Sequence, residues 1–224
     1  MKKILLYLII PTTVILIIII NLLPKENKTL TFISDGLWYQ YNFENKDNIN
    51  SDFIYPSLQS KELLRYIEED TTKITNSSTS LKSQIKESKL VLLSIGMEDF
   101  INDIYVNEKE RKLIYDQDIL SLRADIFINH YHHIIEEINY LNKDSIIISL
   151  SLYNPYPYFK DTNLDIFINN INNYIKEINK NGVYLDITSY SQEKYFNSIN
   201  DYKLNTIALN NIYKEITNLN SLYH

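Results

Sequence analysis

The sequence predicts an α/β domain, a three-layer α/β/α sandwich with a mostly parallel sheet, preceded by one N-terminal transmembrane helix. Three observations carry this reading. Short apolar runs alternate with longer amphipathic ones, the pattern of buried strands between helices. Several apolar runs end in small or polar residues, at the strand ends where such sheets place their ligands. Residues 4–23 form an apolar run that contains no charge.

The strand-like runs are 30–34, 90–95, 146–152 and 183–187, each short and bounded by polar or turn residues. Helical spacing of apolar residues marks 60–69, 80–87, 116–141, 163–179 and 203–219. Segment 42–51 is polar and reads as a loop.

The N-terminal run is interrupted only by Tyr7, Pro11, Thr12, Thr13 and Asn21. As a helix it is long enough to cross a hydrocarbon core of roughly 30 Å. Lys2 and Lys3 ahead of it favour a cytoplasmic N-terminus. A cleaved signal would need a small-x-small site, which Leu22-Leu23-Pro24-Lys25 does not offer. The expected organisation is a signal-anchor over 1–24, a linker over 25–29 and one domain over 30–224. The expected location is the cell membrane, single-pass, with the domain outside the cytoplasm.

The chain carries a formal net charge of −6, which argues against nucleic acid or anionic lipid as a partner of the domain. It has no cysteine, which removes thiol catalysis and disulfides.

The strand ends carry the chemical information. They read Ser34-Asp35-Gly36-Leu37, Gly96-Met97-Glu98-Asp99 and Tyr153-Asn154-Pro155. In this order the chain resembles the SGNH/GDSL hydrolase superfamily, in its bacterial single-domain, secreted or membrane-anchored members. The resemblance spans about residues 30–216 and implies a flavodoxin-like sandwich. The family's Gly-Asp-Ser-Leu block aligns with Ser34-Asp35-Gly36-Leu37, so Gly36 stands where the nucleophilic serine is expected. Ser57 aligns with the glycine of the second block. Glu98 replaces the asparagine of Gly-x-Asn-Asp. In the last block Lys203 takes the histidine position, Asn205 is kept, and Asn200 replaces the aspartate; a shift by one aligns Asp201 and Leu204 instead.

What the resemblance implies is a serine esterase site with its parts replaced. Gly36 cannot attack a carbonyl, and a protonated Lys203 is no base. Glu98 offers an acceptor where an oxyanion needs donors. Ordinary ester hydrolysis is therefore not expected; an active esterase or acylhydrolase using other residues is the alternative. The favoured expectation is a binding or scaffold module, holding a cell-envelope glycan, an acyl ligand or a protein partner in the old cleft. Its pocket candidates are Ser34, Asp35, Asp99, Asn154 and Asp201. An ion pair between Glu98 and Lys203 is expected across the pocket.

Three other features compete. His130, His133 and Glu137 share a helix face and are potential zinc ligands. Without a second element to complete a site, they read as a surface cluster, with no metal and no cofactor. Ser34 is a displaced nucleophile only if a base reaches it, and none does in the matched blocks. The aromatic run 153–159 would stack on sugars or simply pack at the rim.

Overall fold

In the computed structural model, residues 30–39, 41–43, 49–70 and 80–222 are described. The expected anchor (1–24) and linker (25–29) lie outside them. Among the described residues no helix is long and apolar enough to cross a membrane.

The strands are β1 (Leu30–Ser34), β2 (Ile49–Ile54), β3 (Leu90–Ser94), β4 (Tyr105–Asn107), β5 (Lys112–Ile114), β6 (Ile146–Leu150) and β7 (Val183–Leu185). Five of them form a parallel sheet in the order β2-β1-β3-β6-β7. β4 and β5 form a separate antiparallel hairpin. The helices are α1 (Ser60–Glu69), α2 (Leu81–Glu87), α3 (Met97–Phe100), α4 (Gln117–Leu141), α5 (Thr162–Ile178) and α6 (Thr206–Leu222). The order reverses between β1 and β3, so the ligand crevice of such a sheet belongs at their carboxyl ends.

Alternation along the strands sorts the helices into two layers. Thr31 and Ser149 face one side: Thr31 Oγ1 meets Ser88 Oγ at 2.6 Å just after α2, and the Tyr131 hydroxyl on α4 donates to Ser149 at 2.6 Å. Phe32 faces the other side, edge-on to Trp38 and Phe43, and Phe43 meets Tyr213 of α6. Both faces are therefore covered, and β1 and β3 are buried along their whole length.

Helix starts follow local capping chemistry. Asp116 accepts the amides of Asp118 and Ile119, and Asp161 accepts that of Leu164, so α4 and α5 begin where these carboxylates satisfy free N–H groups. Asn205 does the same for Ile207 and Ala208. That cap starts α6 at Thr206, three residues later than the apolar spacing suggests. The strands expected over 146–152 and 183–187 stop earlier because side chains take over from the ladder: Asn172 accepts the Leu152 amide at 2.7 Å, and Ser151 Oγ accepts that of Ile187 at 2.8 Å.

Two elements depart from the sequence reading. Part of the expected loop 42–51 is β2, an edge strand of sequence INSDFI whose polar centre carries no strand pattern. Its pairing with β1 is irregular between Thr31 and Ile33. The β4–β5 hairpin was not anticipated, because its strands have three residues each and its tip is charged.

Asn179 ties the sheet's far edge together. Its Nδ2 donates to Ile147 O at 3.0 Å, Ser149 Oγ at 2.8 Å and Val183 O at 3.2 Å, all from a buried position. Asn179→Ala leaves these acceptors without that donor and is expected to cost about 2 kcal/mol, read as a lowered urea midpoint at unchanged m-value.

Candidate functional site

The carboxyl ends of β1 and β3 converge through Asp35. Its amide donates to Ser94 O at 3.1 Å, which extends the β1–β3 pairing by one step. Its Oδ2 accepts the amides of Met97 at 2.9 Å and Glu98 at 3.5 Å, the free N–H groups that open α3. Asp35 is 4 % exposed. Burial, then the neighbouring Glu98 and Asp99 charges, push its carboxyl up to about 7, against the pull of the two amides.

Gly36 follows at φ +113°, a conformation that side-chain-bearing residues rarely adopt. A Cβ placed there would lie 2.8 Å from Pro56 Cα and 2.9 Å from Pro56 O. The backbone ahead of α1 thus occupies the space that a serine side chain at this position would need. Gly96, at φ +122°, lets the chain turn from β3 into α3.

Glu98 points into the cleft and is 6 % exposed. Its Oε1 accepts the Tyr202 hydroxyl at 3.0 Å. Burial raises its pKa, while the Tyr202 hydrogen bond and the Lys203 charge hold it down. No ion pair among the described residues joins Glu98 to Lys203. The expected direct pair is therefore replaced: Tyr202 takes the carboxylate, and the Lys203 ammonium lies 5.5 Å over the Tyr202 ring. Tyr202 is itself held by the Tyr153 hydroxyl, which donates to its carbonyl at 2.9 Å.

These residues enclose a cavity of about 20 Å³, lined chiefly by Asp35, Gly36, Ser94, Glu98, Ser151 and Tyr202. That is space for about one water. Beside it runs a trough of about 360 Å³, walled by Tyr41, Asn42, Asp201, Leu204, Thr206 and Asn210. Gly36, Leu37 and Lys203 line both.

Of the residues singled out from the sequence, Asp35, Gly36, Glu98 and Lys203 line the small cavity, and Asp201 lines the trough. Ser57 is exposed and lines neither. Ser34 is fully buried, its Oγ without a hydrogen bond. Asp99 turns away to cap α1, accepting the Ser60 amide at 3.1 Å and the Ser60 hydroxyl at 2.7 Å. Burial pushes its carboxyl up to about 6, opposed by Ser60. Asn154 is spent on the loop: Nδ2 donates to Asp165 at 2.7 Å and Oδ1 accepts the Tyr156 amide at 2.8 Å. In the aromatic run, Tyr153, Tyr156 and Phe159 are buried: Tyr153 lines the small cavity, and Tyr156 and Phe159 pack on each other.

His130 also leaves the grouping expected of it. Its Nδ1 meets Ser60 Oγ at 3.2 Å. The ligand atoms that come within 4.8 Å of one another belong to His132, His133 and Glu136, all exposed. Helical spacing put the wrong trio together because side-chain direction, not Cα position, decides which atoms meet. Tyr202 was missed altogether. Its one signal is adjacency to Lys203 in a block where attention falls on the histidine position.

Two outcomes follow from this geometry. Gly36→Ser is expected to destabilise the fold by about 3 kcal/mol, through φ strain and the collision with Pro56, and to add no p-nitrophenyl acetate hydrolysis; chemical denaturation and a colorimetric rate check both. The raised carboxyls set a pH dependence. The unfolded chain sheds these protons from about pH 4, whereas folded Asp35 keeps its proton to about 7 and Asp99 to about 6. Their contribution to stability is full below about pH 4 and falls as pH rises through that window. Unfolding free energies measured across it should decline less steeply in Asp35→Asn, whose amide oxygen still accepts the Met97 and Glu98 N–H groups.

No family model matches this chain, and no curated protein matches it in sequence. Solved structures do. A lipase, Lip_vut3, from a goat rumen metagenome superposes with a TM-score of 0.62 at 17% identity, over 84% of this chain and 96% of that one. A putative platelet activating factor from Streptococcus pneumonia gives 0.58 at 14% identity, over 88% and 85%. A carbohydrate esterase family 3 structure from Talaromyces cellulolyticus gives 0.56 at 13%, over 87% and 97%. With the strand order and the site at the β1–β3 switch point, these likenesses establish that the chain has the SGNH-hydrolase fold.

Proposed function

We propose that this chain is a non-catalytic binding module of SGNH-hydrolase fold, displayed on the outer side of a membrane by its N-terminal segment. The observation that carries the reading is the Gly36–Pro56 contact: the nucleophile's place holds a glycine, and the neighbouring backbone fills the space. The rest of the cleft agrees. Glu98 presents a carboxylate where ester hydrolysis would need hydrogen-bond donors to a developing anion. The histidines among the described residues, His130, His132 and His133, all lie on α4 and none lines the cavity. No imidazole among the described residues is there to relay a proton from a hydroxyl.

Placement at a membrane rests on the apolar run 4–23 and the lysines before it. Leu30 opens β1 at the amino edge of the sheet, and the cleft lies at the carboxyl edge. A domain held through residue 30 would therefore turn the cleft away from the bilayer.

The structural neighbours described as a lipase and esterases favour one competing reading, an ester hydrolase working through other residues. Ser94 and Ser151 are the serines that line the cavity with Asp35. Incubation of the full-length chain with p-nitrophenyl acetate and a fluorophosphonate probe separates the two. The binding-module reading expects hydrolysis at the buffer rate and no labelling. Labelling that disappears in Ser94→Ala, Ser151→Ala or Ser57→Ala would establish the hydrolase instead.

A further inference from the structure

The cleft has kept its position at the β1–β3 switch point but not its polarity. A site for an ester places donors at its deep end, to receive oxygen. Here the deep end is made of carboxyl groups: Glu98 offers an acceptor oxygen, and Asp35, which keeps its proton to about pH 7, offers a group that donates or accepts. Asp35 commits Oδ2 to the Met97 and Glu98 amides, and its Oδ1 has no hydrogen bond. Glu98 commits Oε1 to Tyr202, and its Oε2 has none. Both side chains are more than nine-tenths buried and line the cavity. Neither oxygen is sealed in protein; both are open to the cavity, where a ligand that supplies hydrogens can take the place of water on them. The site disfavours a carboxylate, phosphate or acyl carbonyl head, which brings only oxygen lone pairs.

A metal ion is a poor occupant. Asp99 is turned to Ser60, so two carboxylates remain, with the Lys203 charge beside them. A small cavity with two carboxylates and a lysine suits a neutral donor, and the hydroxyl of a sugar is the common example.

The trough extends this choice. Its lining combines apolar groups, Leu37, Leu204 and Leu209 with the Tyr41 ring, with amides and a hydroxyl from Asn42, Asn210 and Thr206. Asn210 Oδ1 accepts the Tyr41 hydroxyl at 2.9 Å, which fixes the amide with its N–H₂ still to donate. A pyranose ring has the same two characters, an apolar face and a rim of hydroxyls. The volume of about 360 Å³ lies within the range of small-ligand sites.

We propose that the cleft binds an unesterified neutral glycan, its ring in the trough and one hydroxyl donating to Glu98 Oε2 beside Asp35 Oδ1. This rests on the binding-module reading and names its ligand. Both sugar hydroxyls and the acetamido N–H of N-acetylated sugars supply the required donor.

The test uses the full-length chain and ligand-observed NMR with titration. The probes are chitotetraose, cellotetraose, acetate and dodecanoate. Saturable binding of one of the tetrasaccharides, weakened at least tenfold by Asn210→Ala and by Glu98→Gln, is the expected result; acetate and dodecanoate should not compete. Thermal melts of both variants confirm that they fold, and Asn210 is exposed, so its loss leaves the core intact. If dodecanoate binds and neither tetrasaccharide does, or if nothing binds, the glycan assignment is overturned. Tetrasaccharide binding that both folded variants leave unchanged also overturns it, because the sugar then sits elsewhere. Failure of the binding-module reading looks different: it appears as serine-dependent fluorophosphonate labelling, whatever the sugars do.

Discussion

The site depends on one buried carboxylate. Asp35 stands at the end of β1 and receives the amides that open α3 after β3. Backbone N–H groups at a helix start need an acceptor, and a carboxylate supplies one at the favourable end of the helix dipole. This single side chain therefore sets how two adjacent strand ends continue beyond the sheet. It also fixes the direction of Glu98, the second residue of α3. Everything that closes the cavity, from Glu98 to Tyr202 and on to Tyr153, hangs on that direction.

Asp35 is held at a cost. Burial beside two other acids disfavours its charge, so its proton is retained to near neutrality. A buried carboxyl of this kind often marks a working site. Here the same residue has a structural duty, and the two roles meet in its two oxygens: one binds the helix start and the other faces the cavity.

The shape of the cleft at Gly36 is set sterically. Pro56 does not merely accompany Gly36; it packs where a Cβ would be. A serine at this position would have to move the turn that leads into α1, and α1 is in turn capped by Asp99 and packed beside α4. The hairpin adds a further restraint on the opposite rim, where Asn200 donates to Glu108 at its tip at 2.7 Å. Loop 197–205, which carries Tyr202 and Lys203, is thus pinned from outside as well as from within the cleft.

Much of the fold was legible in the sequence because it is local chemistry. Four strands announce themselves as apolar runs, β1, β3 and β6 buried and β7 half-buried, and spacing alone bounds α1 at Ser60 and Glu69. The strand-end motifs identified β1 and β3 as the place to look, and Asp35, Gly36, Glu98 and Lys203 do line one cavity. What the sequence could not decide is where side chains finish. Edge strand β2 takes its identity from pairing with β1, not from its own polar residues. Asp99 and Glu98 are neighbours in the chain, yet one caps a helix and the other faces the cleft, because a helical turn points them apart. Glu98 and Lys203 looked like an ion pair, and a tyrosine one residue away took the contact instead. Local pattern determined which segments form strands and helices; the meeting of atoms distant in sequence, Gly36 with Pro56 and Glu98 with Tyr202, was decided only by the packed chain.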